Sequence, residues 1–509
     1  MTADSDGKET REVTSKQDLP HKRRFVRRLV VVIVILAGVW ACVWWFGAHG
    51  GAAKLAEARR EAAAAGLPLS IDDFLAKYPP PDEEDNAANI YESAIAAFMY
   101  VGGNEPQADC VPLVSRVLNR PVEYAPPDLA LAARDNARIT DDPRTPIPDY
   151  MLTATKTYVS HRAEVIDLIH KATAFRRCRY HIHWDGFVQQ LWHLTRIREM
   201  LRLVALAVWV DAEENRPGEA AVKIRDMLTL TRSPEEDASL ATPGVEAACA
   251  AITLSTALTR LVARTTLTSE DLTAIQTDLE RFDAEYSPRR ACEGELACWA
   301  GMSDEFISGR SRLWDFAQSF GQALPPESKD RVYQWPPWLI SSRLRTEEAL
   351  TIRYYTYLAG RINRMSLDPP APGKEDPMLS EIDGSRYALA KMALMFPRML
   401  GNQPALMRAR LRAAAAAMAA LRFKNDHGRL PASPDELVPE YMAQMPLDPF
   451  SGTLLLFKLV DDGLIIYSIG EDRTDDVSKG YVPGRRTSAH GDDVGFTIWT
   501  GAAPDARGK

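Results

Sequence analysis

The sequence predicts a mostly α-helical chain with a single transmembrane helix, an irregular α-helical extracytoplasmic domain and a C-terminal α+β domain. Three observations carry that expectation. One uncharged apolar run stands behind a basic cluster, apolar residues recur at helical spacing through the middle of the chain, and two β-compatible runs near the end are joined by Asp-Gly. The 509 residues hold 61 Lys+Arg against 69 Asp+Glu, and the net charge of −8 argues against a nucleic-acid partner. A hydrophobic content of 46% allows real cores.

Residues 1–28 begin polar, without an apolar period, and are expected to be a disordered cytoplasmic tail. Leu29 to Phe46 carries no charge, and residues 29–48 together reach the length a helix needs to cross ~30 Å of hydrocarbon. Lys22, Arg23, Arg24, Arg27 and Arg28 precede this run, while Lys54 stands nearly alone beyond it. The positive-inside rule then places the N-terminus in the cytoplasm and the bulk of the chain outside a bacterial inner membrane. Trp40, Trp44, Trp45 and Phe46 gather at the outer end, as an interfacial aromatic belt does. A buried core helix is one alternative, and a cleaved secretory signal ending near Ala48-His49-Gly50 is another. The apolar stretch exceeds the ~7–15 residues usual for such signals, so an uncleaved signal anchor is the reading.

Residues 54–366 read as the helical extracytoplasmic domain. Asp85 can cap a helix whose inward face is Ala87, Ile90, Tyr91, Ala94, Ile95 and Phe98. Eight prolines between residues 104 and 150 forbid long helices there. Met151 to Ala174, Phe187 to Glu214, Gly218 to Thr231 and Val245 to Arg264 follow as helices. The break at Asn215-Arg216-Pro217-Gly218 makes a helical hairpin resembling one tetratricopeptide-like unit, but no 34-residue period surrounds it. Thr268-Ser269-Glu270-Asp271 looks like a capping box, opening a helix with Leu272, Ile275, Leu279 and Phe282 inward. Arg345 to Met365 and Arg386 to Leu400 complete the set, and the proline-rich stretch 367–380 is expected to be a linker.

Residues 381–500 are expected to form a long helix plus a small antiparallel sheet, with 501–509 as a disordered tail. The Ala-rich run Pro404 to Lys424 leads to Gly428, which suits a left-handed cap. Thr453 to Val460 and Leu464 to Ile469 read as a hairpin around Asp461-Asp462-Gly463. The order of motifs is Asn425-Asp426-His427-Gly428-Arg429-Leu430-Pro431, Ser433-Pro434-Asp435-Glu436-Leu437-Val438, Pro446-Leu447-Asp448-Pro449-Phe450-Ser451-Gly452, Tyr467-Ser468-Ile469-Gly470-Glu471-Asp472 and Gly491-Asp492-Asp493-Val494. This order resembles the globular domain of type II secretion major pseudopilins. The layout of the whole chain also looks like a group of single-pass bacterial membrane proteins. The resemblance implies a pseudopilin-like fold and a calcium ion held by Asp472, Asp475, Asp492 and Asp493, since calcium takes six to eight oxygens. Pseudopilins carry their apolar helix directly before this domain, and here it ends at Phe46, so the chain is expected to borrow the fold without being a pilus subunit. Arg473 stands where the family has glycine, and Lys479, Arg485 and Arg486 lie in an insert close by.

Chemistry-bearing residues elsewhere are few. His181-Ile182-His183 with His193 is the one histidine cluster, and alternating histidines are a metal-ligand spacing on a strand. Glu293 and Glu295 stand between Cys292 and Cys298 and could act as an acid–base pair. The odd number of cysteines outside the apolar run (Cys110, Cys178, Cys249, Cys292, Cys298) allows at most two disulfides. No nucleophile elbow, zincin motif or phosphate loop occurs. The sequence favours a non-catalytic membrane-anchored scaffold or adaptor with a protein partner in the cell envelope, and the resemblance implies association with a secretion or pilus-like machine. The alternative is a periplasmic metal-dependent hydrolase using His181, His183 and His193.

Overall fold

The computed structural model describes residues 19–104, 142–182, 184–185, 188–189, 191–310, 337–363, 377–394, 402–477 and 493–501, with 135, 138–139 and 397 between them. The chain is mostly helical, with one small three-stranded sheet near its end. In order, the first elements are α1 (Leu19–Ala64), α2 (Ile71–Lys77), α3 (Ala88–Asn104), α4 (Asp149–Ser160) and α5 (Ala163–Ala172). Next come a short hairpin, β1 (Trp184–Asp185) with β2 (Val188–Gln189), then α6 (Trp192–Glu213), α7 (Pro217–Arg232) and α8 (Ala241–Arg264). α9 (Ser269–Glu285), α10 (Arg289–Ser308), α11 (Pro337–Asn363), α12 (Pro377–Asp383), α13 (Ala388–Ala393) and α14 (Gln403–His427) precede the sheet of β3 (Leu456–Val460), β4 (Gly463–Ser468) and β5 (Val494–Trp499).

Several expectations meet their residues. Thr268 Oγ1 accepts the Asp271 amide at 3.1 Å, and Leu272, Ile275, Leu279 and Phe282 are buried along α9. Gly428 ends α14 with φ of 71°, the left-handed conformation that glycine adopts without a Cβ clash. β3 and β4 pair antiparallel from Val460↔Gly463 onward, a tight hairpin across Asp461 and Asp462. Gly463 is required by packing. A Cβ there would stand 1.9 Å from the Ile498 carbonyl oxygen of β5, the central strand's other neighbour. That third strand was not read from the sequence.

Other expectations are corrected. Asn86, not Asp85, caps α3, because its Oδ1 accepts the Ala88 amide at 3.1 Å. Met151 to Ala174 is two helices, since the chain turns at His161 and Arg162. The segment beginning at Phe187 holds β2 before α6 begins at Trp192. Among the described residues, Arg386 to Leu400 holds the short helix Ala388–Ala393. Within α8, Ile252–Leu258 is π-helical. That wider turn changes which carbonyls are taken within the helix, and the Thr256 carbonyl accepts Trp209 Nε1 at 2.9 Å.

The hydrophobic interior does not follow the sequence boundary at 367–380, most of which lies outside the described residues. The largest core joins Tyr91 and Ile95 of α3, Leu201 and Leu206 of α6, Leu254 of α8 and Leu279 of α9 to Leu411 and Ala413–Ala420 of α14 and to Leu464, Ile466 and Phe496 of the sheet. The Ala-rich stretch explains this sharing, because methyl side chains let α14 lie close against α8 and α9. A second core gathers Ala58 and Ala62 of α1, Trp299 and Phe306 of α10, Ile352 and Tyr355 of α11, and Leu389 of α13.

Two apolar helices differ in surroundings. One described helix meets a length-and-hydropathy test for crossing a membrane, Ala241–Arg264, and 61% of its apolar window is buried inside the protein. It is a core helix by that burial. In α1, by contrast, Leu29 to Leu36, Val39 and Trp40 are all exposed, from 48% at Leu29 to 63% at Val34.

Candidate functional site

The segment before α6 brings the histidines into the fold. Asn86 clamps it, accepting the Arg179 amide on Oδ1 and donating from Nδ2 to the Arg179 carbonyl, both at 2.9 Å. His181 turns outward, with Nδ1 3.0 Å from Glu92 Oε2 and Nε2 3.6 Å from Glu83 Oε1. The hydrogen bond to Glu92 holds its imidazole above the ordinary histidine range. His193 turns inward and is fully buried, with Nε2 2.6 Å from Asp237 Oδ2. Its ring stacks on Tyr180 at 4.3 Å, and the Tyr180 hydroxyl lies 2.9 Å from Ser233 Oγ. Burial pushes the Asp237 carboxyl up, against the pull of His193.

The structure thus separates what the sequence grouped. His181 and His193 engage different carboxylates, and His183 lies outside the described residues. Among the described residues, no group of three His, Cys, Asp or Glu side chains is placed to hold a metal. Tyr180, Ser233 and Asp237 were not singled out by sequence reasoning. The only local signal was Ser233-Pro234, a turn opener just past α7. His193 Nδ1 and Asp237 Oδ1 have no hydrogen-bond partner and are shut off from solvent, so this pair presents no atom to a substrate.

Beside this pair a cleft of about 320 Å³ opens, with Tyr91, Cys178, Arg177, Arg232, Glu235 and Glu236 among its lining residues. Its charges are largely matched by its own walls. Arg177 pairs with Glu236 at 2.7 Å, and Arg232 with Glu235 at 3.0 Å and Glu285 at 2.8 Å. Cys178 is raised well above the ordinary thiol range, chiefly by burial, which favours the unreactive thiol.

Glu293 and Glu295 are both buried on α10 and hold the fold. Glu293 takes Arg289 and Lys77 at 2.6 Å and the Tyr78 hydroxyl at 3.0 Å. Glu295 accepts the Leu240 amide and Trp299 Nε1, each at 3.1 Å, and burial lifts its carboxyl to about 7. Cys292 and Cys298 are both buried on the same helix.

In the C-terminal loops, Asp472 Oδ1 accepts the Thr474 amide at 2.9 Å, and Asp475 Oδ1 accepts the Tyr467 hydroxyl at 3.1 Å. Asp493 Oδ2 accepts the amides of Asp476 and Val477 at 2.8 and 2.7 Å. Burial, with Asp476 and Asp475 nearby, lifts the Asp493 carboxyl to about 6. Its Oδ1 is buried without a hydrogen-bond partner, an oxygen suited to a cation. Asp492 lies outside the described residues. Asp448, named in the sequence only as part of the Pro446 to Gly452 motif, pins the loop after β4: it accepts the Ser468 hydroxyl at 2.7 Å and the Ile469 amide at 3.1 Å.

Comparison with protein-family models, curated proteins and solved structures finds no match for this chain.

Proposed function

We propose that this chain is a membrane-anchored extracytoplasmic scaffold or adaptor, held by α1 with its N-terminus in the cytoplasm. The observation that supports it is the continuity of α1. One helix runs from the exposed apolar stretch Leu29–Trp40 to Ala58 and Ala62, which are buried in the second core. An apolar surface of that length, exposed on every side, is costly in water and stable in hydrocarbon. The buried carboxylates Glu293, Glu295 and Glu347 are engaged with helix ends and basic side chains, which suits a rigid body that presents surfaces to a protein partner. Association with a secretion or pilus-like machine rests on the motif order between residues 404 and 500.

The hydrolase alternative needs His181 and His193 on one ion, and each has its own carboxylate instead. A calcium ion near Asp472, Asp475, Asp492 and Asp493 is a second reading, favoured by the unpartnered Oδ1 of Asp493.

A periplasm-active phosphatase fused after Lys509 should be active in bacteria, and one fused before Leu29 silent. Crosslinking in membranes followed by capture of the full chain should recover an envelope protein. An active reporter at the N-terminus overturns the anchor orientation, and capture of the chain alone overturns the adaptor role.

A further inference from the structure

α1 and α11 lie side by side and run parallel, and their contacts fix the register. Gly51 abuts Ser342, so closely that an added Cβ would stand 2.5 Å from the Ser342 carbonyl oxygen. Further along, Arg59 meets Glu348 at 2.6 Å and Glu61 meets Arg353 at 3.6 Å, so the numbers rise together on both helices. Ser342 stands five residues after Pro337, as Gly51 stands five after Phe46. With a rise of about 1.5 Å per residue in both helices, the first residue of α11 falls level with Phe46, the outer end of the uncharged run.

The chain before α13 comes to the same end of the body. The Arg343 guanidinium donates to the Arg386 carbonyl and lies 5.7 Å over the Tyr387 ring. Glu347, one turn along α11, accepts the Leu389 amide at 2.7 Å. Lys54 and Arg386 are exposed, and Arg343 is partly so. By helical rise, Lys54 and Arg343 stand within roughly 12 Å of the Phe46 level. The first turn of α11 carries Trp338 and Leu339, residue types suited to the membrane interface.

We propose that the N-terminal turn of α11, with Lys54 and Arg386 above it, is a second membrane contact. It rests on the outer headgroup layer of the bilayer that α1 crosses and takes anionic phospholipid. This inference rests on the anchor reading given above. A bilayer is the occupant the geometry selects, because the turn sits at the depth where the apolar surface of α1 ends, and basic side chains frame it on the side away from the hydrocarbon. The contact fixes the body upright on the membrane where a single helix would let it swing.

The test uses the full chain in nanodiscs of phosphatidylcholine, with and without phosphatidylglycerol. An environment-sensitive thiol fluorophore is placed through Trp338→Cys, Val34→Cys or Ala63→Cys, with signals corrected for label taken up by the unsubstituted chain. The label from Trp338→Cys should be quenched several-fold more by headgroup nitroxide lipid than the label from Ala63→Cys, and more so with phosphatidylglycerol. Adding Lys54→Glu and Arg386→Glu, both exposed positions, should remove the part that depends on phosphatidylglycerol. The label from Val34→Cys should be quenched by nitroxide deep in the acyl chains. If that deep quenching holds while Trp338→Cys behaves like Ala63→Cys, the second contact is overturned and the anchor stands. Absence of deep quenching at Val34→Cys overturns both. Equal quenching in the two lipid mixtures overturns the anionic-headgroup assignment.

Discussion

Arg59 of α1 reaches across to Glu348 of α11, with Nη2 2.6 Å and Nε 3.2 Å from the same carboxylate oxygen, while Nη2 also meets Asp304 at 2.7 Å. Glu348 is fully buried and Arg59 partly exposed, so the guanidinium carries most of the polar satisfaction of an interior carboxylate. The pair locks α1 to the body. Arg59→Ala should therefore destabilise the second core by about 1.5–3 kcal/mol, the usual range for a hydrogen bond to a charged group. Denaturant unfolding of the detergent-solubilised chain checks this. An unchanged midpoint would show that α1 is held by apolar packing alone.

The pH dependence of stability should run against the common pattern. Burial lifts Glu295 and Glu348 from 4.5 to about 7 in the folded chain. A carboxyl with a raised folded pKa favours the folded state most below its unfolded pKa, and that contribution is lost as pH rises through the folded value. Stability should thus fall between about pH 4.5 and pH 7 as far as these two groups decide it. Glu295→Gln should flatten the slope of melting temperature against pH in that window. An identical slope in the variant would count against a protonated Glu295 in the folded chain.

Gly51 makes the close approach of α1 and α11 possible, because backbone atoms of Ser342 occupy the space a side chain would need. Gly51→Ala should lower stability by about 1–3 kcal/mol through overpacking, despite the better helix propensity of alanine. Gly38→Ala is the control, since nothing lies within 4 Å of an added Cβ there. Thermal unfolding of both variants decides it, and equal melting temperatures would refute the close contact.

Calcium should bind through Asp493 if the C-terminal loops form its site. At a hundredfold excess over the dissociation constant, calcium would add about 2.7 kcal/mol by mass action. Chelator should lower the melting temperature of the wild-type chain and leave Asp493→Asn unaffected, and magnesium should not restore it. Without the ion, the raised Asp493 carboxyl favours folding below about pH 4, and this is lost as pH rises through about 6. A melting temperature indifferent to chelator at pH 7.5 would end the calcium reading.

Local patterns carried what local physics decides. The spacing of Leu272, Ile275, Leu279 and Phe282 marks the buried face of α9, Thr268 marks its start, and Gly428 marks the end of α14. Each depends on a few neighbouring residues and on backbone geometry, so a single sequence suffices. The composition and flanking charges of residues 22–48 likewise define one exposed apolar stretch of α1 without reference to any distant residue. Only the tertiary structure decided the pairings across long separations. Asn86 displaces Asp85 as the cap because it must also hold Arg179, 93 residues away. The two histidines part because His193 finds Asp237 inside the core while His181 finds Glu92 outside. Residues 403–427 share a core with α8 and α9, since a face of small side chains can pack on several partners and its own sequence does not choose among them. Periodicity tells which face is buried, and the fold alone tells against what.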